Sequence, residues 1–376
     1  MSAAALVVVV GAGPAGIAAT RHLRGQDGIR VVLVVPEGRA EYLAGTLAVA
    51  TGDARADQYR ACVELAGVDV VPARAEAIEP GMIRIEGSWL RPQAIIAAPG
   101  LALDLVGSDA SDRIVGFWDP TGAEVAAPRI GAVERGVIDV VITSLPYRCP
   151  PAPYGLAMRL ARRARRFDQP LRVRLFTPEE HPLAALGGTL GDTLLADCEE
   201  AGVEVRLGAR IATDAVAEGA PSGDATDRDG ADLTIVIPRH RTSPLLADLV
   251  DSIGPLVPVD SRFATEMRGV FVVGDAAASP YPRAADPAAW SGTVAAQAVL
   301  SELGFDRTPI PAAPAPDCFV DDGDGTYGRI RITYPDGPPP AGRPSISVDP
   351  PAPAQANDFE AVYRSWLSLR TDARTR

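Results

Sequence analysis

The chain has 376 residues, 47% of them apolar, and a formal net charge of -12 at pH 7. That length supports two or three packed domains, and the acidic balance argues against nucleic acid or an anionic membrane as a partner, since both call for a basic surface. Four cysteines in so long a chain make no disulfide scaffold, and three scattered histidines make no metal constellation.

The apolar run over residues 3–10 is too short to span a bilayer and lacks the charged leader and cleavage site of a signal peptide, so a cytoplasmic protein is expected. A buried strand is predicted over residues 6–10. It runs into Gly11-Ala12-Gly13-Pro14-Ala15-Gly16, then a helix, then a second strand over residues 30–35. This is the dinucleotide fingerprint in its required setting. Gly11 permits the tight turn, Gly13 lets backbone approach a pyrophosphate, Gly16 allows close helix–strand contact, and the helix N-terminus supplies the positive dipole end. The acid that normally ends the second strand is replaced by Val35 and Pro36, so either Glu37 reaches the ribose or that contact is lost. Cys62 is expected in a helix as a small core residue. Residues 94–100, AIIAAPG, form another strand-to-glycine return at Ala98.

A further strand is predicted over residues 137–143, ending in SLPYRCPP. A second nucleotide site would need a glycine-rich loop there. Instead there is no glycine, and the prolines remove backbone donors that would cradle phosphate. No nicotinamide is expected to bind, and Cys149 takes the place where one would deliver hydride. The prolines stiffen the mount of a sulfur able to exchange. The arginine-rich stretch over residues 159–166 is read as the solvated last turn of a helix, offsetting its dipole. Cys198 is expected in a helical core position, and residues 218–231 in an acidic loop.

Residues 269–277, GVFVVGDAA, deliver Gly274 and Asp275 at the end of a strand. An acid there can accept from a flavin ribityl hydroxyl, and the following helix can aim its N-terminus at the flavin pyrimidine. Three such pieces across the chain are the layout of an FAD-binding domain split by an insertion. Residues 308–317 and 335–354 read as Pro-rich linkers around a hairpin-like segment over residues 327–334. The apolar positions of residues 357–369 have helical spacing, and this single short helix is expected to pack on the protein rather than enter a membrane.

The residues together resemble a family: the sulfide-oxidising branch of the FAD-dependent pyridine nucleotide-disulfide oxidoreductases, which holds sulfide:quinone oxidoreductase and the flavoprotein subunit of flavocytochrome c sulfide dehydrogenase. Its mark is Y-R-C-P-P-x-P-Y over residues 147–154, joined by Leu233-Thr234-Ile235-Val236-Ile237-Pro238, VFVVGDA, Pro282-Arg283, Asp317-Cys318-Phe319 and Tyr363-Arg364-Ser365-Trp366. The resemblance implies an α/β protein of two Rossmann-like domains plus a small C-terminal extension. The FAD-binding domain would occupy residues 1–105 and 236–304, the second Rossmann-like domain 106–235, and the extension 305–376. It implies FAD held by Gly11, Gly13, Pro14, Ala15, Gly16, Glu37, Ala98, Gly274, Asp275 and Arg283. It also implies a redox pair, Cys149 and Cys318, bridged beside the flavin and opened by sulfide or another small sulfur nucleophile.

Four departures qualify that picture. Ala44 stands where the flavocytochrome type attaches FAD through a cysteine, so FAD is expected to be non-covalent. Gly155 replaces a glutamate that would serve as proton handler. Asp286 adds an acid after Pro282-Arg283, and the export signal is absent. The leading expectation is a soluble FAD-dependent sulfur or thiol oxidoreductase acting on a small molecule. The alternatives are an FAD-dependent oxidase or dehydrogenase of a biosynthetic metabolite with vestigial cysteines, and a flavin-binding subunit active only with a partner protein. The electron acceptor is left open among quinone, cytochrome, oxygen and a partner redox protein.

Overall fold

The computed structural model describes residues 4–104, 113–183, 190–211, 230–250, 255–305, 309, 312–321, 325–338 and 342–371. Most of the acidic loop expected over residues 218–231 lies outside them.

Two five-stranded parallel sheets organise the chain, and they share one plan. In the first, the strands run in the spatial order Val270–Val272, Ala94–Ala97, Ala5–Val10, Ile29–Val34 and Val68–Val71. In the second the order is Ile114–Gly116, Leu233–Ile237, Gly136–Ile142, Leu171–Phe176 and Val203–Arg206. These strands read as nearly continuous Val/Ile/Leu runs because a parallel sheet is buried on both faces; the core of the first takes in Ile78, Ile83 and Ile85 of a three-stranded antiparallel sheet, Ala75–Glu79, Met82–Ile85 and Ser88–Leu90. Val7, Val8 and Val9 are fully buried in the first, and Ile138, Val140 and Val141 in the second. In each sheet the chain turns from one direction to the other between the central strand and its neighbour. That reversal opens a crevice at the strands' carboxyl ends, where such sheets bind ligands. The first crevice carries the Gly11–Gly16 loop and Ala98. The second carries residues 143–149 and 238–240. An antiparallel ladder, Leu101–Asp104 against Arg239–Thr242, ties the two sheets together.

The extension departs from its reading as linkers around a hairpin. Tyr327–Thr333 is the central strand of a three-stranded antiparallel sheet, with Asp317–Asp321 on one side and Ser345–Ala352 on the other. Val320, Ile330 and Ile332 are buried in the core of the second domain. Ser345–Ala352 escaped notice because its prolines mask a period-2 alternation, and an edge strand tolerates proline. The helix Pro353–Arg370 packs as expected: Trp366 is buried against the first domain, and its ring lies 5.1 Å from that of Tyr42. Among the described residues no helix is long and apolar enough to cross a membrane.

Two further readings are corrected. Cys62 is no helical core residue: it is exposed on a short strand, Arg60–Cys62, paired with Arg39–Glu41. Val63 and Leu65 fill the core instead. The arginines of the helix Ala152–Arg166 are not simply solvated. Arg159 forms ion pairs with Asp53, at 2.6 Å, and with Asp321, and its side chain is 13% exposed. Arg163 donates to the Thr51 carbonyl at 2.6 Å, and Arg165 to that of Glu200 at 2.7 Å. Cys198 is buried, as expected.

Candidate active site

The glycine loop follows the Ala5–Val10 strand. Gly11 has φ +96°, and a Cβ there would lie 2.2 Å from the Ala98 carbonyl oxygen. A Cβ at Gly16 would lie 1.8 Å from the Gly11 carbonyl oxygen. Both glycines are thus demanded by backbone packing, and Ala98 is the surface they pack on. Gly13 differs: a Cβ there meets nothing within 4 Å. This open space adjoins the N-terminus of the helix Pro14–Leu23, where Pro14 opens the first turn and no acidic residue occupies it. Such a place accepts a diphosphate. Ala15 packs against the helix Ala285–Glu302, since a Cβ at Gly292 of that helix would lie 2.0 Å from the Ala15 carbonyl oxygen. Glu37 sits exposed with φ +55° on the turn after the second strand, while Val35 is buried. Only Glu37 is therefore presented outward at that strand's end.

Gly274 follows the Val270–Val272 strand with φ +70°, and its N–H donates to Ser291 Oγ at 2.9 Å. Asp275 comes next. Burial pushes its carboxyl up, while the guanidinium groups of Arg148 and Arg283 pull the other way without cancelling the rise. Gly274, Asp275, Tyr281, Arg283 and Ser291 line a recess of about 250 Å³, counting its open mouth. Arg283 Nε is buried without a protein partner. An open cradle at Gly13, a second glycine turn with its acid, and an orphaned cationic nitrogen are features that fit a flavin dinucleotide.

The cysteine motif leaves the Gly136–Ile142 strand and enters the helix Ala152–Arg166. Cys149 has φ +54°, a left-handed conformation that costs a side-chain-bearing residue on the order of 1 kcal/mol. Two backbone bonds hold it. Its N–H donates to the Arg283 carbonyl, and its carbonyl accepts from Ala152 N–H, both at 2.9 Å. The first bond joins the two domains at the sulfur. Cys149 is exposed to solvent, yet protein crowds it: burial pushes its thiol up to about 11, opposed by Arg148 and reinforced by Asp275.

Arg148 is clamped to Trp118. Its guanidinium donates to the Trp118 carbonyl, and its own carbonyl accepts from Trp118 Nε1 at 2.9 Å. His240, buried beside Arg148 and Arg283, is driven down to about 3 by burial first and by those cations next, so it is neutral at pH 7. The two tyrosines of the motif serve the scaffold. Tyr147 and Tyr154 donate to Glu179 Oε2 at 3.1 and 2.7 Å.

Cys318 reaches the site from the Asp317–Asp321 strand, half-buried and opposite Ile330. Burial pushes its thiol well up, and Cys149, Asp286 and Asp317 add to the rise. Cys149 and Cys318 are thus near enough for their charges to act on one another. The expected bridge between them is not formed: both are free thiols. Asp286 lies close by, its Oδ2 accepting from Asp317 N–H at 2.9 Å. At Gly155 a Cβ would stand 3.4 Å from the Asp321 carbonyl oxygen, in ordinary contact with the strand that carries Cys318. Ala44 is exposed on the turn Leu43–Gly45.

Sequence reasoning passed over Arg148, His240, Tyr42 and Glu179. Glu179 could have been found, because it follows the second strand of the second parallel sheet, where an acid ordinarily contacts a nucleotide ribose.

No family model matches the chain. Among solved structures, the sulfide:quinone oxidoreductase of the hyperthermophilic bacterium Aquifex aeolicus is similar over 98% of this chain and 92% of its own, with a TM-score of 0.78 and 16% identity. A ferredoxin reductase from Rhodopseudomonas palustris is similar over 88% of this chain and 82% of its own, with a TM-score of 0.64 and 15% identity. The NADH:rubredoxin oxidoreductase of Clostridium acetobutylicum is similar over 99% and 97%, with a TM-score of 0.55 and 13% identity. The chain thus has the fold of two-domain Rossmann-type oxidoreductases. The resemblance to the sulfide:quinone oxidoreductase branch seen in the motifs extends to the fold.

Proposed function

We propose that the chain is an FAD-dependent oxidoreductase whose electron donor is a small sulfur nucleophile: sulfide, a persulfide or a thiol. The observation that carries this reading is the backbone bond from Cys149 N–H to the Arg283 carbonyl, with Asp275 and Cys318 near enough for charge coupling to the Cys149 thiol. FAD, held non-covalently by the Gly11–Gly16 loop, Ala98, Gly274 and Asp275, supplies a two-electron sink beside that pair. Exposed Glu37, on the turn after the second strand, would be its contact to the adenosine ribose.

The protein's own residues do the rest. When the pair is oxidised, a donor thiolate attacks one sulfur, forms a mixed disulfide with it, and releases the other as a thiolate. Arg148 favours the charged form of Cys149. The Arg283 carbonyl fixes the Cys149 backbone, so the sulfur keeps its place through exchange.

Anaerobic titration of the flavin-loaded protein with sulfide tests this. The expected result is bleaching or a long-wavelength charge-transfer band in wild type and neither in Cys149→Ser. Equal flavin reduction in both proteins would show that the cysteines are bystanders, and no response in either would show that sulfide is not the donor.

A further inference from the structure

The helix Pro353–Arg370 ends on a cation that has no evident reason to be buried. Arg370 is 1% exposed. One guanidinium nitrogen donates to the Trp366 carbonyl at 2.7 Å, and another to the Ala12 carbonyl at 3.4 Å. The guanidinium lies 4.0 Å from the centre of the Trp366 ring. Its Nε is buried without a partner. Burial weakens its hold on the proton, down to about 9, with Tyr42 acting the other way. It is therefore still charged at pH 7, and among the described residues no carboxylate pairs with it. A buried, uncompensated guanidinium is costly, and such charges persist where an anion meets them.

Its place says which anion. Ala12 lies inside the dinucleotide loop, between Gly11 and Gly13. The Ala12 carbonyl and the Gly13 N–H belong to one planar trans peptide and point in opposite directions. A carbonyl anchored on Arg370 turns the Gly13 N–H away from the helix, and Gly13 borders the space where a Cβ would meet nothing within 4 Å. That space is the diphosphate cradle at the N-terminus of Pro14–Leu23. The charge of Arg370 lies one peptide behind it.

We propose that Arg370 is a cofactor-positioning residue, the counter-charge set behind the Gly11–Gly16 loop for the diphosphate of the bound dinucleotide and the anchor that orients the Gly13 N–H toward it. The inference rests on the FAD reading above. It makes the C-terminal helix a part of the nucleotide site, 358 residues along the chain from the loop it serves.

Flavin-free wild type, Arg370→Met and Arg370→Lys are titrated calorimetrically with FAD, with ADP (a diphosphate without flavin) and with AMP (no diphosphate), and each flavin-free protein is melted. The Met variant is expected to bind FAD and ADP weaker by about tenfold or more, and AMP within about twofold of wild type. The Lys variant keeps most of the affinity. Flavin-free Arg370→Met melts no lower than wild type, because an uncompensated charge has gone. The proposal is overturned if Arg370→Met holds FAD and ADP as wild type does, if AMP binding falls with them, or if the flavin-free variant melts lower or does not fold. Each of the last two outcomes marks the arginine as a structural clamp. Wild type that binds ADP but not FAD would refute the flavin reading alone, and the ADP series would still judge Arg370.

Discussion

Cys149 is held on one side by a backbone bond from another domain and influenced on the other by a cation. With its thiol near 11, about one in a thousand is ionised at pH 8. In the flavin-free protein, alkylation of Cys149 followed by mass spectrometry should rise roughly tenfold per pH unit from 7 to 10 and bend near 11. Arg148 lowers that value, so Arg148→Met should slow the reaction at pH 8 and move the bend upward. An unchanged profile would mean that the guanidinium serves only its bonds to Trp118. At this scale the sequence was readable where a residue's job is local. Gly11 and Gly16 are dictated by neighbours a few residues away or by one strand, and their spacing announces them. Cys149 announces itself by its prolines. Arg370 does not, because its partner Ala12 lies far along the chain; Glu179 has a legible place after a strand, but its bonds to Tyr147 and Tyr154 are not legible.

The strands Gly136–Ile142 and Leu171–Phe176 show how an element carries an ion pair through a core. Arg174 Nε lies 2.7 Å from Asp139 Oδ1, and the second bond, from NH2 to Oδ2, is 3.0 Å. The side chains are 6% and 0% exposed. Arg174→Met leaves Asp139 buried without this partner and should cost about 3–5 kcal/mol in urea unfolding. The double variant Asp139→Val with Arg174→Met should recover much of that loss, since the desolvation cost goes with the charges. If the single and double variants are equally unstable, the pair is no unit. The pattern of strand and helix over these elements was legible from apolar runs alone. The failures fell on short or edge elements. Cys62 was given helical periodicity across a segment too short to show one, and Ser345–Ala352 was hidden by its prolines.

The whole molecule is two parallel sheets of one plan, a ladder between them, and a C-terminal sheet and helix that return to both. Arg159 marks the junction of three parts: it leaves the second domain's helix, meets Asp53 of the first domain, and meets Asp321 of the C-terminal sheet. Arg159→Met should loosen the Asp317–Asp321 strand. Amide hydrogen exchange there should accelerate, and Cys318 should alkylate faster at a fixed pH, while the Gly11–Gly16 loop keeps its protection. Acceleration throughout the chain would indicate global destabilisation instead. No sequence pattern could place this junction, because it depends on how separately legible pieces meet.

The capture of Glu179 by Tyr147 and Tyr154 has a consequence for anyone who would retool this protein. The loop after Gly136–Ile142 lacks glycine, and the acid after Leu171–Phe176 is already held by two phenols, Tyr147 of that loop and Tyr154 of the helix it enters. Grafting a glycine-rich loop would free the acid only if both tyrosines left with the old one. A graft that spares Tyr154, which stands inside the following helix, would build half a nucleotide pocket around an occupied carboxylate. Two hydroxyl groups thus bar the second crevice from a nucleotide as firmly as the missing glycines do.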